Sequence, residues 1–155
     1  MSTKAPVDFG ILLNTSFGVF KTGLHEYLAE AGFEDVGRSF GYVFRLLEPE
    51  SLNLQAVASL LEITPQGALK LINDMVAKGY VERRDDLTDG RVKQLALTPR
   101  ALKAMAAARR FHAKFESDLA DRIGARRAAT ARLALEDIVV HYGDEGPPQL
   151  RPLYL

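Results

Sequence analysis

Two Thr-Pro pairs, Thr64-Pro65 and Thr98-Pro99, constrain this chain more than any other feature. A threonine oxygen accepts from the free amides of a first helical turn. Proline at the first helical position loses no hydrogen bond there, so each pair predicts a helix start. Between them the pattern is restrictive. Ala68, Leu71, Ile72 and Met75 fall on one helical face before Gly79 stops the helix, and the other face carries Gln66, Gly67, Leu69, Lys70, Asn73 and Asp74. From Tyr80 the period changes to that of a strand, VERR, then an acidic glycine-containing turn, DDLTDG, then a second strand, VKQLAL. Upstream, Asn53 suits the N-cap of a short helix from Leu54 to Leu61, with Val57, Leu60 and Leu61 turned inward.

Two short helices followed by a ribbon make a winged helix-turn-helix. Before it, apolar residues recur at Leu13, Phe17, Phe20, Leu24, Tyr27 and Ala31, predicting a helix over about Asp8 to Ala31 with Gly32 as its C-cap. Gly10, Gly18 and Gly23 lie inside it at a cost of roughly 1 kcal/mol each, and a close helix-helix approach at Gly18 would account for one. A second segment, about Val36 to Leu47, gathers Phe40, Val43, Phe44 and Leu47 on one face before Pro49. After Pro99 a long helix is expected to about Ile123, with Leu102, Met105, Ala108, Phe111, Phe115 and Leu119 as its stripe. Gly124 interrupts, and a last helix, about Arg126 to Tyr142, would bury Leu135, Ile138, Val139 and Tyr142.

The expected class is mainly α with a small β-wing: a winged helix-turn-helix over residues 36–98, flanked by helical regions at 1–35 and 99–155. The flanking apolar faces exceed what one small winged domain covers, so they are expected to bury one another across a homodimer interface. The proline-rich tail would be extended, with Leu150, Leu153 and Tyr154 docked on the partner.

Net charge is zero, yet the charge is segregated. Residues 1–63 hold 4 basic and 8 acidic side chains, residues 64–99 hold 6 and 5, residues 100–132 hold 9 and 3, and the remainder 1 and 4. Such an arrangement reads most simply as complementary packing among helices, and more sharply as a basic surface for phosphate. With no cysteine, disulfide frameworks and thiolate metal sites are excluded. No apolar run reaches membrane-spanning length and the start has no continuous apolar leader, so a cytoplasmic chain without a membrane partner is expected.

A helix-turn-helix offers the N-terminal half of its second helix to the major groove. Gln66 suits adenine, Lys70 guanine or a phosphate, and Leu69 a thymine methyl, with Asn73 one turn further on. Thr64 would present its hydroxyl and the helix N-terminus to phosphate. Arg83 and Arg84 at the base of the hairpin suit phosphates. Arg91, after the Asp89-Gly90 turn, sits where a wing tip enters a narrow minor groove, with Asp89 orienting its guanidinium. The plainer account is a solvated helix face and a surface ion pair worth at most ~1 kcal/mol.

The run TPQGALKLINDMVAKGYVERR, followed by DLTDGRVKQLALT and a long helix, resembles the MarR family of bacterial transcriptional regulators. The resemblance is specific over about a third of the chain. It implies a homodimer whose terminal helices dimerise and whose winged units bind a pseudo-palindromic operator in double-stranded DNA, often as a repressor released by a small, frequently aromatic ligand. By position, Arg91 becomes the minor-groove arginine, Asp89 its support, and Gln66 to Lys70, Gly67 included, the major-groove readers. Gly67, Leu69 and Asp74 depart from the residues usual there.

A cleft between the winged unit and the flanking helices would draw on Phe17, Phe20, Phe40, Phe44, Phe111 and Phe115, with His25, Arg45 and His112 as polar partners, although an aromatic stripe at helical spacing is more often core. His112 and Glu116 share a helical face but read as an ordinary pair rather than a metal site. No phosphate loop and no nucleophile elbow is present. The chain therefore reads as a non-enzyme without cofactor or metal, and the rival is a winged-helix module that binds protein instead of an operator.

Overall fold

The structure is a computed structural model, and it describes residues 7–142. Its elements run α1 (Phe9–Glu30), α2 (Phe40–Leu47), β1 (Leu52–Asn53), α3 (Leu54–Leu61), α4 (Pro65–Ala77), β2 (Val81–Asp85), β3 (Lys93–Leu97), α5 (Pro99–Ile123) and α6 (Ala125–Tyr142). The capping grammar holds in detail. Asn53 accepts from the Ala56 amide at 2.8 Å, Thr64 from Gly67 at 3.0 Å and Thr98 from Ala101 at 3.2 Å, and both prolines occupy the first helical turn.

The wing is part of a three-stranded antiparallel sheet ordered β1-β3-β2, with Arg83 opposite Leu95 and Asp85 opposite Lys93. The hairpin alone was expected. β1 pairs only Leu52 with Leu95 and Asn53 with Gln94, too short a segment to leave an alternating pattern. α2 starts at Phe40 rather than Val36, because residues 36–39 form turns that lead into it.

The core lies between α2, α3, α4, the sheet and the start of α5. Val43, Val57, Ala68, Ile72, Met75, Tyr80 and Ala101 are wholly buried there. Leu60 and Leu102, placed inward by periodicity, are about half exposed; Ala58 and Ala101 take the buried positions instead, since close helix approach favours the small side chain. The turn between α3 and α4 passes through Glu62 at φ 53°, a left-handed conformation that costs a non-glycine residue about 1 kcal/mol or more.

α1 packs on α5 through aromatic edges. Phe20 meets Phe111 at 5.3 Å and Phe115 at 4.9 Å, and Tyr27 meets Phe111 at 5.7 Å. The close approach is at Gly23, where a Cβ would come within 3.1 Å of the Phe111 ring; at Gly18 nothing lies within 4 Å. α6 packs against α5 and buries none of its residues, so Leu135, Val139 and Tyr142, expected inside, are exposed within one chain. The expected docking of Leu150, Leu153 and Tyr154 lies outside the described residues. No helix among the described residues is long and apolar enough to cross a membrane.

One polar cluster ties three distant segments together. The buried Tyr80 donates its hydroxyl to Asp35 at 2.5 Å, and Arg100 donates to the same carboxylate oxygen at 3.0 Å. The Arg100 guanidinium lies 4.5 Å over the Tyr80 ring and also donates to the Lys78 carbonyl. Burial alone would raise the Asp35 pKa, but the Tyr80 hydrogen bond and the Arg100 charge outweigh it and hold the carboxyl below its usual value.

Two outcomes follow for stability. Asn53→Ala should cost about 1 kcal/mol in chemical denaturation, the usual worth of such a cap, and a change below a few tenths would rule out the capping role. The contribution of Asp35 is fully present above the unfolded carboxyl value of about 4 and is lost as pH falls through the lower folded value. Asp35→Asn should therefore flatten the acid limb of the stability curve, recorded by denaturant melts at successive pH values.

Candidate nucleic-acid interface and adjoining cleft

The solvent face of α4 is set by its buried one. With Ala68, Ile72 and Met75 inside, Gln66, Leu69, Lys70 and Asn73 are exposed, and Thr64 stands exposed at the helix start. The Gly67 amide is the one that caps onto Thr64, and a side chain at Gly67 would put its Cβ 3.2 Å from that hydroxyl. Asp74, the anion on this helix, is offset by Lys78 at 2.9 Å one turn later.

Arg83 joins helix to wing by donating to the Asn73 side chain at 2.6 Å. These two residues therefore form a bridge in addition to being separate candidate contacts. Arg84 is held by Glu82 on the same strand at 2.6 Å, and Lys93 pairs with Asp85 across the hairpin. Among the described residues Lys70 and Arg91 have no ion-pair partner, so they and Arg83 carry the unneutralised charge of this surface.

The turn is rigidly built. Asp86 accepts from the Thr88 amide at 2.8 Å, the Thr88 hydroxyl at 2.6 Å, the Asp89 amide at 3.1 Å and the Gln94 amide group at 2.6 Å. Those donors, led by Thr88, hold the Asp86 carboxyl far below its usual pKa. Asp89 accepts from the backbone N–H of Arg91 at 3.0 Å. It shapes the turn and does not clamp the guanidinium as expected, because an Asx-type bond two residues on is closer to hand than a flexible arginine head. Asp86 was missed as an organising residue; its place ahead of Thr-Asp-Gly was the available signal. Leu87 projects fully into solvent from the same turn.

Of the nine side chains expected around a ligand cleft, Phe17, Phe20, His25, Phe44, Arg45 and His112 line one cavity of about 400 Å³ between α1, α2 and α5. Phe40 lies in the core, where it packs on Tyr80 at 5.7 Å. Phe111 and Phe115 face a separate, shallower hollow along α1. The ring faces of α1 and α5 diverge around the helix axes, which one-dimensional spacing does not resolve.

The cleft also takes in Lys21, Arg38 and Arg109, which sequence reasoning missed because they lie between the aromatic positions. Arg109 pairs with Glu48, whereas Lys21, Arg38 and Arg45 have no acidic partner among the described residues. Burial, and then the Lys21 and Arg38 charges, hold His25 below its usual pKa; burial, and then Arg45, do the same for His112 against the opposing pull of Glu116. Glu116 is engaged by Arg132 of α6 at 2.7 Å, and no three metal-ligating side chains cluster among the described residues.

Part of the charge segregation is internal. Arg100 and Arg109 of α5 reach back to Asp35 and Glu48 of the acidic first third, as complementary packing requires.

Residues 43–92 match the sequence model of the MarR family. No curated protein sequence matches the chain. Among solved structures, apo MarR from E. coli superposes with a TM-score of 0.68 at 18% identity, covering 88% of this chain and 99% of that one. A point mutant of MepR from S. aureus, bound to an oligodeoxyribonucleotide, gives 0.60 at 17% identity over 88% and 99%. MepR bound to ethidium bromide gives 0.60 at 17% over 88% and 97%. Those likenesses concern the fold, while the sequence match lies in the winged unit itself, which over residues 43–92 is similar to the MarR family.

Proposed function

We propose that the protein is a homodimeric, sequence-specific regulator of repressor type that binds a pseudo-palindromic operator in double-stranded DNA in the cytoplasm and is released by a small aromatic ligand. The observation that carries DNA binding is the Arg83–Asn73 bridge, which makes the exposed face of α4 and the wing one continuous surface. Gln66, Leu69 and Lys70 are then offered to a major groove and Arg91 to the flanking minor groove. The oligonucleotide-bound MepR relative has the same fold.

Dimerisation is supported by α6, which buries nothing within its own chain and exposes Leu133, Leu135, Val139, Val140 and Tyr142. Phe9, Ile11 and Leu12 of α1 are exposed too. A second copy covers such faces by two-fold symmetry and brings two winged units to one duplex.

The surface charge sets a number. With Lys70, Arg83 and Arg91 as the phosphate contacts of each copy, the slope of log affinity against log salt is roughly −5 for a dimer. Arg91→Ala should weaken operator binding at every salt concentration and bring the slope closer to zero by about 2, one contact per copy. Fluorescence anisotropy on duplexes from the protein's own promoter region, with sedimentation equilibrium for the dimer, tests both. Failure of wild type to bind any of them at low salt would end the DNA-binding reading. If Leu69→Asp instead abolished capture of a protein partner while Lys70 and Arg91 proved dispensable, the winged unit would be an interaction module.

The cleft pairs apolar rings with Lys21, Arg38 and Arg45, so it suits an aromatic anion better than an aromatic cation. 1-Naphthoate should raise the melting temperature and lower operator affinity, and 1-naphthylmethylamine should do neither. The opposite ranking would remove the charge argument, and Arg45→Ala should weaken the naphthoate response.

A further inference from the structure

The Asp35–Tyr80–Arg100 cluster lies between the cleft and the recognition helix and touches both. On one side, Asp35 immediately precedes Val36, Gly37 and Arg38, which form a wall of the cleft, and the Tyr80 ring packs at 5.8 Å on Phe44, another lining residue. On the other side, Tyr80 directly follows Gly79, the residue with φ +76° after α4, and its amide bonds to the Met75 carbonyl at 2.8 Å. Arg100 caps the Lys78 carbonyl at the C-terminal end of α4, and Thr98 donates to the Gly79 carbonyl at 2.6 Å. The end of the recognition helix is thus fastened to the first turn of α5, and the fastening closes on a single carboxylate that belongs to neither.

We propose that Asp35 is a positioning residue: through Tyr80 and Arg100 it fixes the angle of α4 to α5, and through residues 36–38 and Phe44 it makes that angle respond to what fills the cleft. The physical basis is the economy of the bonding. One carboxylate oxygen accepts from both the tyrosine and the arginine, so a displacement of the 35–38 turn cannot relax one contact without the other. A buried tyrosine hydroxyl has no water to fall back on, which makes the choice between bonded and unbonded a discrete one. The inference rests on the reading of α4 as the recognition helix, but its geometry can be measured without DNA.

The chain has no cysteine, so labels can be placed at will. Full-length chains carrying Thr88→Cys on the wing and Arg110→Cys on α5 are spin-labelled and diluted into unlabelled chains, so each reports only its own wing-to-α5 distance. Tyr80→Phe keeps the packed ring and removes the hydroxyl, and Asp35→Asn removes the charge. Both should broaden or shift the distance distribution while the protein still melts cooperatively. Arg100→Lys, which keeps the charge, should fall between them and wild type. Arg132→Ala, which cuts a salt bridge on the far side of α5, should leave the distribution unchanged.

The cleft arm needs no ligand. Gly41 lines the cleft and a Cβ there meets nothing within 4 Å, so Gly41→Phe supplies a built-in occupant. It should shift the distance in an otherwise wild-type chain and have no further effect in the Tyr80→Phe background. On an operator that wild type binds, Tyr80→Phe should cost about tenfold or more in affinity, as loss of a hydrogen bond to a charged group does. Distributions in Tyr80→Phe and Asp35→Asn that superimpose on wild type, with only a lower melting temperature, would reduce the cluster to a stabilising contact and overturn the proposal. Equal Gly41→Phe shifts in both backgrounds would overturn the coupling. Failure of the wild type to bind DNA leaves the label distances readable and counts against the proposed function alone.

Discussion

Full burial of the Tyr80 side chain is the constraint on which the molecule depends. A phenol removed from water without a partner costs on the order of 1–3 kcal/mol, and the rings of Phe40 and Phe44 around it supply no acceptor. Asp35 supplies it, and Arg100 balances the carboxylate that does so. Because Tyr80 also stands between the end of α4 and the start of β2, satisfying one hydroxyl sets the end of a helix, the start of a strand and the first turn of α5. The winged unit and the long helix are therefore one mechanical object at this point, and Ala101, Ala104 and Met105 of α5 join them further through the shared core.

Charge has been distributed in a matching way. The α4 and wing surface neutralises Lys78, Arg84 and Lys93 through Asp74, Glu82 and Asp85, leaving Lys70, Arg83 and Arg91 to meet phosphate. Backbone contacts of this kind supply affinity without sequence information, so discrimination falls to base edges and shape. The cleft shows the opposite economy, since Lys21, Arg38 and Arg45 face an apolar floor without acidic partners among the described residues. Lys21 is partly buried while Arg38 and Arg45 are exposed, so like charges gather at the cleft mouth and an anionic ligand would offset their repulsion.

The helix starts were legible because a cap is a local event, an oxygen and an amide three residues apart, and Asn53, Thr64 and Thr98 each form that bond. The exposed face of α4 was legible for the same reason, since 3.6 residues per turn convert burial of Ala68, Ile72 and Met75 into exposure of Lys70 and Asn73. The orientation of Asp89 was misread because its nearest donor is a backbone amide. The split of the aromatic stripe between core, cleft and a second hollow depended on how α1 and α5 cross.

Local chemistry in the chain thus established where the three capped helices begin, that a ribbon follows the second short helix, and which residues that helix shows to solvent. Three-dimensional packing alone brought Asp35 to Tyr80 across 45 positions and to Arg100 across 65. It also gathered three cations from two helices and a turn around one cleft, and moved the close approach on α1 from Gly18 to Gly23. The division has a physical cause. Caps and periodicity act within one or two turns of backbone, whereas partners for a buried polar atom are chosen by whichever distant segment the core delivers to it.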